Sequence, residues 1–392
     1  MKYYTTLFLA FFSCSLFAQE SDNLSTPNTT FKFGGYVKAD FLFTNFHNGE
    51  LPRTSPMRDI HFPAQIPVGE EDSFKDTDFH VKESRFNFDV KTTKLGKEIH
   101  GFLELDFMLS GQGNENVSNS YAPRLRHFYF EWDRMLFGQT WTNFMVVVIP
   151  NDLDFSGAPE GIVFVRQPQI RYKYKTWSFS IENPNTTITT NDATNIATAN
   201  SYIPDITAKK KFPLKKGFVS VAGIVRTLFS SQPEDYKSFG FGITSGGLIK
   251  VGEKGDDFRF MATYGNGLGR YIALGFLSAG YDNDTSLENI SSINGYVAYN
   301  HYWSKVLSSS FNVSGLTSDN PSNINLQANK VAYSGSVNLK YEPIKEMLLG
   351  VEFNYGYREL VDNTSGAFSR IQLAARYKFG YHNSETSEKY IK

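Results

Sequence analysis

The chain has 392 residues and carries 39 Lys and Arg against 40 Asp and Glu, a net charge of −1, which gives no electrostatic footprint for nucleic acid. Mean hydropathy is −0.34, and past the N-terminus there is no run of about 18 apolar residues, so no helix spans a bilayer. Aromatics reach 16%, with 35 Phe and 22 Tyr, and the composition leaves a membrane β-barrel open because only alternate residues of its strands meet lipid.

The first segment reads as a signal peptide over residues 1–18. Lys2 is the basic start, Leu7 to Phe17 the apolar run, and Leu16-Phe17-Ala18 the cleavage site before Gln19. The only cysteine, Cys14, lies inside it, so the mature chain has no disulfide and no thiolate. Cleavage leaves 38 basic residues against 40 acidic ones, so any charge selectivity must come from where charges sit. Residues 19–30 form a polar lead-in without a heptad pattern.

From Phe31 the period is two. Phe31, Phe33, Val37, Phe41 and Phe43 share one face, and Lys32, Tyr36, Lys38 and Asp40 the other. The same split returns around Glu83 to Val90 and again around Ile371 to Phe379. Tight turns fall at Thr93–Lys97, Asp133–Arg134, Lys175–Thr176, Pro213–Gly217, Gly252–Asp256, Ser304–Lys305 and Glu342–Glu346. Long polar loops alternate with them, from Asn45–Asp78 and Gly111–Ala122 through Thr142–Val163 to Glu359–Ser365. The fold class expected is therefore all-β. It is a transmembrane antiparallel β-barrel of 16 strands over residues 31–381, with short periplasmic turns and long extracellular loops. Only closure satisfies every backbone group in hydrocarbon. Trp132, Trp141, Trp177, Tyr302, Trp303, Tyr341, Tyr377 and Phe379 fit interfacial girdles. A polar tail, 382–392, ends the chain.

Several motifs of the first half resemble the DcaP-like family of trimeric outer-membrane porins. They are Gly35-Tyr36-Val37-Lys38-Ala39-Asp40, Ser84-Arg85-Phe86, Leu103-Glu104-Leu105-Asp106-Phe107, Arg124-Leu125-Arg126-His127, Gly138-Gln139-Thr140-Trp141, Leu153-Asp154-Phe155 and Phe164 to Tyr172. The second half matches only in strand rhythm. The resemblance implies a homotrimer in the bacterial outer membrane and a channel for small anionic solutes such as dicarboxylates. It departs from the family after Trp141, where an acidic residue is expected and the chain runs Asn143-Phe144-Met145-Val146-Val147-Val148-Ile149.

Alternation assigns Lys38, Arg85, Arg171, Lys173, Arg259, Lys340, Arg358, Arg376 and Lys378 to the lumen, with Asp40, Glu83, Asp89, Glu104, Asp106 and Glu352. The pore-lining and solute-binding candidates are Lys38, Arg85, Arg124, Arg126, His127, Arg166, Arg171 and Arg259. Arginine suits the task because a charged guanidinium grips a carboxylate through two parallel hydrogen bonds. Parity puts Arg126 on the face of Phe128 and Phe130, at an interface level or in a trimer contact, and Pro168 breaks the count between Arg166 and Arg171. In the inward third loop, Asp152, Asp154 and Glu160 are expected to pair with wall arginines.

The working expectation is a diffusion porin whose partners are small anionic solutes and outer-membrane lipid, with no cofactor. A non-selective or sugar-type porin and a surface adhesin barrel with a closed lumen are the alternatives. No Gly-x-Ser-x-Gly, His-Glu-x-x-His or phosphate loop supports an enzyme. Asp72, Asp76 and Asp78 offer oxygen ligands for calcium at generic spacing, which suits a solvated acidic loop better.

Overall fold

A computed structural model describes residues 29–109, 119–185, 187–189, 195–197, 202–230, 236–282, 286–321 and 324–384. The expected signal peptide, all of the lead-in but Thr29 and Thr30, and residues 385–392 of the expected tail lie outside the described residues.

In chain order the strands are β1 (Thr30–Phe46), β2 (Phe74–His80), β3 (Arg85–Lys94), β4 (Lys97–Asp106), β5 (Arg124–Trp132), β6 (Met135–Trp141) and β7 (Arg166–Tyr174). They continue with β8 (Trp177–Glu182), β9 (Thr187–Thr189), β10 (Asn195–Ala197), β11 (Asp205–Leu214), β12 (Gly217–Ser230), β13 (Tyr236–Lys250) and β14 (Asp257–Asn266). The last are β15 (Ala279–Asp282), β16 (Ser286–Asn289), β17 (Ser291–Tyr302), β18 (Leu307–Asp319), β19 (Asn329–Ile344), β20 (Met347–Leu360) and β21 (Ser365–Ser384).

Sixteen antiparallel wall positions close into a barrel through β1 and β21, paired from Thr30↔Ser384 to Phe46↔Phe368. Closure leaves no edge with unpaired backbone. One wall position is split. β2 pairs with Asp40–Phe46 and β3 with Thr30–Tyr36, both on β1, and Val81 to Ser84 interrupt them. Phe74–His80 is thus wall, where the sequence reading had loop as far as Asp78. At the other end the wall extends to Ser384, past the expected limit of residue 381. β9, β10, β15 and β16 form a small separate sheet.

Alternation explains which side each residue faces. Phe128, Phe239 and Ile293 are more than half exposed on the outer surface, while Asn294, Thr244 and Glu352 are buried within. The main apolar cluster lies inside the barrel. Phe144, Met145, Val146 and Val148 of the third loop pack there with Ala158, Ile162 and Val163, against wall residues such as Ala222, Met261, Ala298 and Leu316. This accounts for the apolar run that departed from the family pattern. The run packs against the apolar inward residues that β12, β14, β17, β18 and β19 interleave with their polar ones, and packing there removes it from water.

Candidate functional site

The third loop, residues 142–165, is fastened to the wall along its length. At its start Glu182 accepts a hydrogen bond from Asn143 N at 2.7 Å and one from Thr142 Oγ1 at 2.6 Å. At its tip Glu352 accepts from Leu153 N at 2.7 Å and Asp154 N at 3.0 Å. Each carboxylate satisfies backbone donors that a buried loop would otherwise leave unpaired. Gly161 crosses the wall against Gly295, where a Cβ would stand 2.5 Å from the Gly295 carbonyl carbon, so only glycine fits. Phe164 N donates to Tyr271 O at 3.0 Å, which joins the loop to residues 268–278.

The loop acids were expected to meet wall arginines, and only one does. Asp154 lies 3.6 Å from Arg370. Asp152 accepts from Asn312 and Ser310 instead, and Glu160 from Ser314 at 2.6 Å and Ser334 at 2.7 Å. The loop rests on the hydroxyl- and amide-rich side of the barrel, so its acids find those groups and not the arginines of β3 to β7.

The space left open lies on that arginine side. A cavity of about 390 Å³ is lined by Arg85, Glu104, Arg126, His127, Trp141 and Phe155, among others. Arg124 grips Asp106 with two hydrogen bonds of 2.8 Å. Arg126 bonds Glu104 at 2.6 Å and Asp106 at 2.7 Å. Arg85 lies 4.0 Å from Glu104. The guanidiniums of Arg85, Arg124 and Arg126 stand 5.6, 5.5 and 5.2 Å from the Phe155 ring, which caps them from the loop side. Arg166 stacks 4.5 Å over Trp141, and its Nη1 is buried with no hydrogen-bond partner.

Arg126 lines this cavity on the inner side of the wall, whereas simple alternation in β5 places it with Phe128 and Phe130. Glu104 pairs with His127 and Leu105 with Leu125, so Arg126 is one extra residue in β5. Such a bulge lets Arg126 and His127 both point inward between outward Leu125 and Phe128. Trp141, expected in a girdle, also faces the cavity, its ring 4.8 Å from Phe164. His127 Nδ1 is 3.0 Å from Thr140 Oγ1.

Three candidates stand apart from this cluster. Lys38 is buried between Glu83 and Asp40 and donates to Leu153 O at 2.6 Å, so it anchors the loop. Arg259, on the opposite wall, bonds Asp257 at 2.7 Å and Ile149 O at 2.9 Å. Arg171 sits five residues beyond Arg166 along β7, bonded to Gln169 at 2.9 Å and to Trp141 O. Glu182, Arg370 and His61 were not singled out from sequence, and Phe155 entered only within the Leu153-Asp154-Phe155 motif of the resemblance. The only signals for the first two were charges at inward parity. Asp76, considered for calcium, bonds Arg58 at 2.9 Å, and among the described residues no cluster of three metal-ligating side chains occurs.

A closed sixteen-stranded barrel narrowed by an inward loop, with a charged cavity beside it, defines an outer-membrane channel of the porin class. The chain belongs to the DcaP outer membrane protein family, whose model matches residues 18–379. It is similar to the outer membrane channel DcaP of Acinetobacter baumannii, at 25% identity and a TM-score of 0.77 over 91% of this chain and 99% of that one. The fold is shared with an anion-selective porin from Comamonas acidovorans, at 10% identity and TM-score 0.54 over 90% and 100% of the chains. It is shared too with a trimer form of OmpT from Vibrio cholerae, at 11% identity and 0.51 over 90% and 100%. No curated protein matches the chain. The family and these structures are channels of the outer membrane and not enzymes.

Proposed function

We propose that this channel passes small anionic solutes, carboxylates above all, down their gradients. The observation that carries the reading is the charge balance around the open passage. Arg85, Arg126 and Glu104 line it, and Arg124, Arg166 and Asp106 belong to the same charge cluster, so four arginines stand against two carboxylates. A fixed positive excess in a narrow, partly desolvated passage replaces the water lost by an anion, and several weak sites in a row let it leave again. The Phe155 and Trp141 rings hold the guanidiniums in place without neutralising them.

A homotrimer fits the same reading. The outer face of the short strands β3 to β6 carries Phe88, Phe128, Phe130 and Phe137 around an apolar groove of about 460 Å³, floored by Gly101 and Gly138. A second copy of the chain would fill such a groove by packing, since lipid gives helices and strands no hydrophobic drive to associate.

The test is the reversal potential of the refolded protein in a planar bilayer under a salt gradient, with and without a small dicarboxylate. Anion preference with dicarboxylate block is the expected result. A neutral or cationic preference overturns the proposal.

A further inference from the structure

We infer that the periplasmic rim from β5 to β13 is a docking surface for the phosphodiester headgroups of anionic phospholipids in the facing leaflet. Three tight turns follow one another along this sector, tied by backbone hydrogen bonds to the next strand. Lys173 N donates to Arg134 O at 2.8 Å, Lys211 N to Thr176 O at 2.8 Å, and Lys250 N to Lys216 O at 2.7 Å. The sector carries Arg134, Lys175, Lys210, Lys215, Lys216 and Lys250. Its one acid at the turns, Asp133, is 3.0 Å from Lys97. No Asp or Glu occurs from Lys173 to Ile181 or from Ile206 to Leu228. The rim elsewhere is mixed, with Glu253 and Asp256 in one turn and Glu342 and Glu346 at another.

The position of these cations selects lipid over a soluble anion. Alternation in β11 puts Asp205 and Thr207 inside and Ile206, Phe212 and Leu214 outside, so Lys210 stands on the membrane face. Its Nζ lies 4.9 Å from the Trp177 ring and 5.0 Å from the Phe212 ring. Lys175 lies 5.3 Å from the Tyr174 ring, and Arg134 lies 5.4 Å from it while donating to Tyr172 Oη at 3.4 Å. Aromatic girdles mark the headgroup level, and long basic side chains on the membrane face extend their charged ends to that level. Cations in that band, without carboxylates to pair with, complement phosphate charge, whereas a solute in the lumen meets the other face of the wall.

The test is native mass spectrometry of the full-length channel in detergent with equal amounts of phosphatidylglycerol and phosphatidylcholine. The parent retains phosphatidylglycerol preferentially. The combined variant Lys175→Gln, Lys210→Gln, Lys215→Gln, Lys216→Gln loses that preference by roughly tenfold or more, with conductance and heat-modifiable gel mobility unchanged. The double variant Lys175→Gln, Lys210→Gln shows a partial loss and serves if the fourfold variant does not assemble. The pair Lys305→Gln, Lys345→Gln, on the mixed part of the rim, keeps the preference. Equal retention of both lipids by the parent overturns the inference, as does undiminished preference in both basic-sector variants. Full displacement of the lipid by millimolar inorganic phosphate overturns it too, because it marks a free-anion site.

Discussion

His61 Nε2 lies 3.0 Å from Glu160 Oε1, and both side chains are fully buried. The contact joins two inward loops, since His61 also donates its backbone N–H to Asp154 at 2.9 Å and its carbonyl accepts from Ser156 Oγ at 2.9 Å. The third loop thus leans on the first loop as well as on the wall.

This clasp is expected to weaken in acid. Burial raises the Glu160 carboxyl, but His61 and the Ser314 and Ser334 hydroxyls outweigh it, so the group is held below its ordinary 4.5. A depressed carboxylate contributes stability that is present above pH 4.5 and lost as the pH falls through the folded value. Single-channel recordings should therefore be steady at neutral pH and noisier once the pH drops below 4.5. Glu160→Gln should show that noise already at pH 7, since it removes the carboxylate that His61 and the two serine hydroxyls hold, and leaving such buried groups without their partner costs about 1–3 kcal/mol. A quiet Glu160→Gln channel at pH 7 would remove the clasp from the account.

The loop tip offers a second handle. Glu352 accepts two backbone N–H groups of the tip and a hydrogen bond from Asn338 Nδ2 at 2.9 Å. Glu352→Ala leaves those donors buried without a partner, at about 1–3 kcal/mol each. The tip should detach, giving larger and more variable conductance, while Glu352→Gln, which keeps one acceptor oxygen, stays closer to the parent. Unchanged conductance in Glu352→Ala would mean that the apolar packing alone seats the loop.

Gly161 gives a steric version of the same test. Any side chain there collides with the Gly295 backbone, which has no flexible end to yield. Gly161→Val should still assemble a barrel, because the wall pairing is untouched, but with the third loop displaced. Protease cleavage within residues 142–165 in the variant, and resistance in the parent, is the expected readout.

The barrel was legible from the chain because its signals are local. A period of two and an alternation of short and long connectors each need only a few neighbouring residues. What escaped needs partners. The Arg126 bulge inserts one residue into β5, which reverses parity, and nothing within β5 announces it; only the pairing of Leu105 with Leu125 does. The split between β2 and β3 is equally silent, since both pieces are defined by sharing β1. The run from Asn143 to Ile149 looked out of place for the same reason, its complement being spread over strands far away in sequence.

The arginine cluster supports a prediction that separates charge from grip. Arg124 and Arg126 have their donors engaged by Asp106 and Glu104, whereas Arg85 Nε and Arg166 Nη1 are buried without hydrogen-bond partners. Replacing any one of the four by Gln removes one charge, so the reversal potential should move toward zero by similar amounts. Binding of a carboxylate depends instead on free donors. Dicarboxylate block should therefore fall most in Arg166→Gln, by roughly tenfold or more if one charge-assisted hydrogen bond of about 1.5–3 kcal/mol is lost. Arg166→Lys keeps the charge but not the planar fork, so it should hold the reversal potential while still weakening block. Concentration series of dicarboxylate block on the parent, Arg166→Gln, Arg166→Lys and Arg124→Gln check this directly. Equal loss of block in Arg124→Gln and Arg166→Gln would mean that net charge alone, and not the unengaged guanidinium, governs solute capture.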